Sequence, residues 1–163
     1  MNSLDRRAFL AAVPLALVAC SAGAEESMAG QTPEPATPAG LSEIVVHKTP
    51  TCGCCGAWVD HLRAGGFAVR VVEVADTDTV ARRLGVPDTL RSCHTAEVDG
   101  YAIEGHVPAG DIRRLLAERP DAAGLAVPGM PAGSPGMEIG DQRDSYDVVQ
   151  FDRSGTTQVF ASY

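Results

Sequence analysis

Residues 44–62 read Ile-Val-Val-His-Lys-Thr-Pro-Thr-Cys-Gly-Cys-Cys-Gly-Ala-Trp-Val-Asp-His-Leu, and they place three of the chain's five cysteines within four positions. Ile44-Val45-Val46 is a β-branched run of the kind that forms a short buried strand. Over residues 56–64 the apolar side chains Trp58, Val59 and Leu62 share one side of a helix, which Gly65-Gly66 stops. Residues 67–74 are again β-branched. The three pieces make a β-α-β unit with Cys52, Cys54 and Cys55 at its first strand-to-helix turn.

Working outward, residues 77–84 read as a second helix, capped by Asp76 or Thr77 and ended by Gly85 and Pro87. Residues 92–98 and 101–107 read as two strands joined at Asp99-Gly100, a strong tight-hairpin signal. Pro108 suits the first turn of a further helix, whose apolar side carries Ile112, Leu115 and Leu116. The order β-α-β-α-β-β-α resembles the thioredoxin-like fold, and Cys52-Gly53-Cys54-Cys55 contains that fold's C-x-x-C at the expected place. Residues 120–144, rich in Gly, Pro and small side chains, read as a long loop carrying Met130 and Met137 and little that builds a core; such loops are functional or disordered. Residues 146–152 and 156–160 flank Arg153-Ser154-Gly155 as a closing hairpin. The expected architecture is a single α/β domain, residues 41–163, thioredoxin-like with an added Gly/Pro/Met loop and a C-terminal β-hairpin.

The first forty residues read as processing and linker sequence. Arg6-Arg7 followed by Phe9-Leu10 resembles a twin-arginine export signal. The apolar run over residues 11–19 is shorter than the roughly 20 residues that span a bilayer and has the form of a signal-peptide core. Leu17-Val18-Ala19-Cys20 resembles a lipobox that would leave Cys20 as a lipidated first residue, while Ala22-Gly23-Ala24 is a competing cleavage site that would leave a soluble protein. Residues 1–19 are therefore expected to be an export signal and residues 20–40 a flexible linker. The expected compartment is the periplasm, with membrane contact only through a lipid anchor at Cys20. The net charge of −8 and the single lysine, Lys48, argue against nucleic acid as a partner, because no basic patch is available for phosphates.

A cysteine at a helix N-terminus gains from unpaired N–H groups and the helix dipole, which favour the thiolate. Thiol exchange and metal binding both need the thiolate, so this placement leaves both open. Cys93 discriminates between them. Thioredoxin-like enzymes carry a cis-proline just before their third strand, whereas this chain has Ser92-Cys93 there, and Pro87 comes too early. Four converging sulfurs, Cys52, Cys54, Cys55 and Cys93, suit a soft metal better than two-sulfur exchange. His94 should face away from Cys93 if strand alternation holds, and it reads as a solvated or core histidine. His106 divides evenly between ligand and structural roles. His47 and His61 read as solvated. Met130 and Met137, as loop thioethers, are soft-ligand or lid candidates beside an ordinary gap-filling role. The other readings are a thiol–disulfide oxidoreductase with Cys52 as nucleophile and Cys55 as resolving thiol, and a plain disulfide from Cys93 to Cys52 or Cys55 or a closed zinc site.

The blocks Lys48-Thr49-Pro50-Thr51-Cys52-Gly53-Cys54-Cys55, Ser92-Cys93-His94-Thr95-Ala96, Ile103-Glu104-Gly105-His106-Val107-Pro108 and Gly124-Leu125-Ala126-Val127-Pro128-Gly129-Met130-Pro131, with Gly133-Ser134-Pro135-Gly136-Met137-Glu138, together resemble the CopG-like family. These exported bacterial proteins were long labelled a domain of unknown function and are associated with copper resistance. The resemblance runs in order from Ile44 to about Phe160. It implies a thioredoxin-like periplasmic protein that binds copper ions for resistance or homeostasis, with a redox role between Cu(I) and Cu(II) and with other periplasmic copper-handling proteins as partners. Carried over by position, Cys52, Cys54, Cys55 and Cys93 are the implied ligands, and His106, Met130 and Met137 the secondary ones.

Overall fold

The β-branched run that opens the domain becomes β1, Ile44–Lys48, in a computed structural model that describes residues 42–163. The expectations for residues 1–40 lie outside the described residues. β1 is followed by α1, Gly53–Ala64, and by β2, Val69–Glu73, which pairs parallel with β1. α2, Thr77–Arg83, starts where Asp76 accepts from the Asp78 N–H, as its capping role requires. A single 3₁₀ turn, Asp88–Leu90, leads to β3, His94–Val98, which pairs antiparallel with β1 and with β4, Tyr101–Glu104. The β3–β4 connection is the two-residue turn Asp99-Gly100, with Val98 opposite Tyr101. α3, Ala109–Glu118, begins directly after Pro108.

The order β-α-β-α-β-β-α is thus the order of the first seven strands and helices. The chain then departs from the expected long loop. Gly124–Ala126 forms β5, parallel to β4, and β6, Asp147–Phe151, pairs with β5 and with β7, Thr157–Ser162. The result is one seven-stranded mixed sheet, β2-β1-β3-β4-β5-β6-β7, with three α-helices among the described residues. The C-terminal hairpin therefore extends the sheet through β5 rather than closing a separate unit. β5 has no sequence signal of its own, because its three small or aliphatic residues carry no alternation. It is buried on both faces, which removes the polar/apolar pattern that marks a half-buried strand.

Alternation along the strands divides the core between the two faces of the sheet. One side collects Trp58, Val59 and Leu62 of α1 and Ile112 and Leu115 of α3 against Ile44, Val46, Ala96, Ile103 and Leu125. The other collects Ala81 of α2, Val86 and Leu90 against Ala102, Ala126 and Phe151. Both faces are covered, and the cysteine-bearing turn lies at the β1-to-α1 junction. No described helix is long and apolar enough to cross a membrane.

Gly124 is obligatory where β5 meets β4, because a Cβ there would run into the Ala102 carbonyl, a backbone atom held in the ladder. Gly124→Ala is therefore expected to lower the free energy of unfolding by about 1–3 kcal/mol, measured by denaturant titration. An unchanged midpoint would mean that β5 does not occupy this register.

Candidate metal centre

Cys52 is the N-cap of α1 and makes no side-chain capping bond, while Cys54 and Cys55 lie in the first turn. That turn contains no acidic residue, so the positive end of the helix dipole faces sulfur alone. Helical geometry turns Cys55 inward, where it is buried beside Trp58, and leaves Cys52 and Cys54 half-buried. The helix begins three residues earlier than its apolar period suggests, which brings the whole cluster onto one rigid turn.

Cys93 arrives from the other side, immediately before β3 begins at His94. Its sulfur lies 3.5 Å from the Cys55 sulfur and 3.7 Å from that of Cys54, while Cys54 and Cys52 are 3.6 Å apart. All four sulfurs fall within 4.8 Å of one another. Cys52 and Cys55 are joined as a disulfide, and Cys54 and Cys93 are free thiols. The Cys52/Cys55 pair assigned to thiol exchange is thus bonded, and the expectation of a plain disulfide to Cys93 does not hold. Cys93 sits where the third strand begins and Pro87 stands before the 3₁₀ turn, as the spacing argument required.

Cys93 also belongs to a second group. Its sulfur is 3.3 Å from His94 Nδ1 and 3.3 Å from His106 Nε2, and the three donor atoms again lie within 4.8 Å. The expectation that His94 faces away from Cys93 therefore does not hold, while its burial agrees with a core histidine. Strand alternation would send Cys93 and His94 to opposite faces, but Cys93 precedes the strand, so the rule does not reach it. His94 is fully buried, its ring centroid 4.4 Å from Trp58 and 4.9 Å from His106. Its Nε2 has no hydrogen-bond partner among the described residues.

His106 follows the end of β4, and its Nδ1 donates to the Pro135 carbonyl at 2.8 Å. That bond fixes the proton on Nδ1 and leaves the Nε2 lone pair facing Cys93, the tautomer a soft ligand needs. Burial pushes the His94 pKa down to about 3, with His106 adding to the effect. Burial also lowers His106, against the opposing pull of the Pro135 carbonyl. Both rings are therefore neutral donors at physiological pH. Burial, and then the adjacent Cys54, push the Cys93 thiol up to about 12, so without a positive partner it stays protonated. A donor set of thiols and neutral imidazoles, with one buried imidazole nitrogen unpartnered, fits a soft cation such as copper.

The Gly/Pro/Met loop lies over this turn. A Cβ on Gly136 would meet the Trp58 nitrogen and the Cys54 carbonyl of α1, so only glycine lets the loop backbone approach so closely. Met137 next to it is half-buried, while Met130 is 53% exposed. Met130 follows Gly129, whose carbonyl accepts from Ser92 Oγ at 2.5 Å. The loop is thus docked through Pro135, Gly136 and Gly129 around Cys93. His47 and His61, expected to be solvated, have structural roles instead. His47 is buried with its Nε2 on Glu97 at 3.1 Å, and His61 Nε2 accepts from the Ala109 N–H at the start of α3.

A family described as a protein of unknown function, DUF411, matches residues 90–137, which span Cys93, His94, His106, Met130 and Met137. A search of curated proteins gives no match. Two solved structures described as copper resistance protein copG are each 52% identical to this chain. Form 2 covers 76% of this chain and 99% of its own, with a TM-score of 0.73. Form 1 covers 76% and 98%, with a TM-score of 0.72. With that identity maintained over nearly all of copG, the chain belongs to the CopG-like family.

Proposed function

We propose that this chain is a periplasmic copper-binding protein of copper resistance and homeostasis, taking Cu(I) as cargo on the thiolates of Cys52, Cys54, Cys55 and Cys93. The convergence of these four sulfurs within 4.8 Å carries the reading, and the 52% identity to proteins described as copper resistance proteins supports it. Thiolates are soft ligands that select Cu(I) over harder cations. Three sulfurs from a single turn cannot all point at one tetrahedral ion, so thiolates bridging more than one Cu(I) suit the cluster better. His106, Met130 and Met137 are secondary ligands in this reading, and the neutral Nδ1 of His94, 3.3 Å from the Cys93 sulfur, adds a donor.

The Cys52–Cys55 bond makes the site redox-linked. Its sulfurs become thiolates only on gaining two electrons. For Cu(I) to be held on all four thiolates, an external dithiol supplies these electrons and is itself oxidised to a disulfide. In the redox cycle two Cu(I) ions supply them instead, each losing one electron to give two Cu(II) and two thiolates, and the reverse transfer re-forms the disulfide and returns two Cu(I). Export is supported by Arg6-Arg7 and the apolar run before Cys20, and the membrane is reached through a lipid anchor there. A thioredoxin-like core is supported by the element order and by the β2-β1-β3-β4 half of the sheet. Other periplasmic copper-handling proteins are the partners for loading and release. The disulfide itself favours a second reading, a thiol–disulfide oxidoreductase using Cys52 and Cys55.

The two readings separate on Cys54. Reduced, metal-free protein titrated against a Cu(I) chelator should bind more than one Cu(I), and Cys54→Ser should weaken binding by at least about tenfold. Unchanged copper binding in Cys54→Ser, with insulin reduction abolished by Cys52→Ser, would favour the oxidoreductase. In the metal-free oxidised protein, Cys93 should react with iodoacetamide at pH 8 at least about a hundredfold more slowly than free cysteine, because little thiolate is present; mass spectrometry of timed samples reads this directly. Cell fractionation tests the anchor: Cys20→Ala should move the protein from the membrane fraction to the soluble periplasmic one.

A further inference from the structure

Glu104 is 1% exposed, and neither donor set includes it. It ends β4 opposite Thr95, so by alternation it lies on the back of the sheet, the face of Ala102 and α2, while His94 lies on the front against Trp58. A buried carboxylate is costly unless its oxygens are matched, and here each has a donor. Glu104 Oε2 accepts from Thr95 Oγ1 at 2.6 Å, and Oε1 accepts from the Ser92 N–H at 2.7 Å.

The second of these bonds lies beyond the regular ladder. Backbone pairing of β3 with β4 runs out at the bond from the Gly105 N–H to the His94 carbonyl. The Ser92 N–H, one residue before Cys93, takes the Glu104 side chain as its acceptor instead. On its other side the same segment is tied to the methionine loop, with Ser92 Oγ donating to the Gly129 carbonyl and the Gly129 N–H to the Arg91 carbonyl. Burial raises the Glu104 pKa, against the opposing pull of the Thr95 and Ser92 hydrogen bonds and of the Arg91 charge.

We propose that Glu104 is a positioning residue for Cys93: acting from the back of the sheet, its carboxylate fixes the Ser92 backbone and so holds the Cys93 thiol against the cysteines of α1. The purpose of this placement rests on the copper reading above, but the placement itself can be tested without copper. In the full chain carrying Cys20→Ser, Cys52→Ser and Cys54→Ser, Cys55 and Cys93 are the remaining thiols, and their sulfurs lie 3.5 Å apart. Equilibration with glutathione redox buffers gives the effective concentration of one thiol at the other.

In that background Glu104→Ala, which leaves the Ser92 N–H without its acceptor, should lower the effective concentration by about tenfold or more. Glu104→Gln should restore it to within about threefold, because the amide oxygen can accept from Ser92 while the amide nitrogen donates to the Thr95 hydroxyl. Circular dichroism melts establish that each variant is folded; if Glu104→Ala is not, Glu104→Asp, one methylene too short for Ser92, carries the same test. A folded Ala or Asp variant with unchanged effective concentration, or a loss that Gln does not restore, overturns the proposal. Failure of the parent protein to bind Cu(I) would overturn the copper reading and leave this result standing.

Discussion

Trp58 is the interaction on which the rest of the site depends. Its indole N–H donates to the Val107 carbonyl at 2.9 Å, and the side chain is fully buried. One face of the ring lies against His94, and its backbone nitrogen limits how closely Gly136 approaches. A single aromatic side chain thereby sets the distance between α1, the start of β3 and the segment leading into α3, while the backbone at the same residue meets the methionine loop. Because an indole buries a large area while using only one polar atom, it can do this without opening a wet path through the core. The cysteines of α1 inherit their position from it, since Cys54 and Cys55 lie on the turn that Trp58 anchors.

The electrostatic character of the centre follows from the same packing. Desolvation is the first cause of the shifts at His94, His106 and Cys93. It drives imidazoles and thiol alike toward their neutral forms. A neutral pocket of soft donors, without a carboxylate in the first turn of α1, offers little to a hard cation. It is also a pocket in which bringing in positive charge and releasing a thiol proton reinforce one another. Glu104 does not disturb this balance, because its carboxylate is on the opposite face of the sheet.

Much of the centre was legible in the sequence, for a physical reason. The β-α-β unit announces itself through a β-branched run, a helical apolar face and a double glycine, and these place Cys52, Cys54 and Cys55 at a helix N-terminus without any knowledge of distant contacts. Cys93 was recognisable because the strand it precedes is bounded by the Asp99-Gly100 turn, which fixes the register from the other end. What could not be read depended on boundaries and on non-local pairing. His94 was discounted by an alternation rule that begins one residue too late to apply. β5 is three residues long, and nothing in Gly-Leu-Ala signals a strand until β4 and β6 lie on either side. The docking of His106 on Pro135 joins residues 29 apart, and neither residue's local sequence encodes it.

The two donor groups meet at one atom. Cys93 Sγ belongs both to the sulfur set with Cys52, Cys54 and Cys55 and to the mixed set with His94 and His106. The site is therefore not uniformly tolerant of change. Loss of Cys52 or of His106 depletes one group and leaves the other complete, whereas loss of Cys93 depletes both with a single substitution. In the geometry of the centre Cys93 is a shared vertex, and among the described residues no other belongs to both groups.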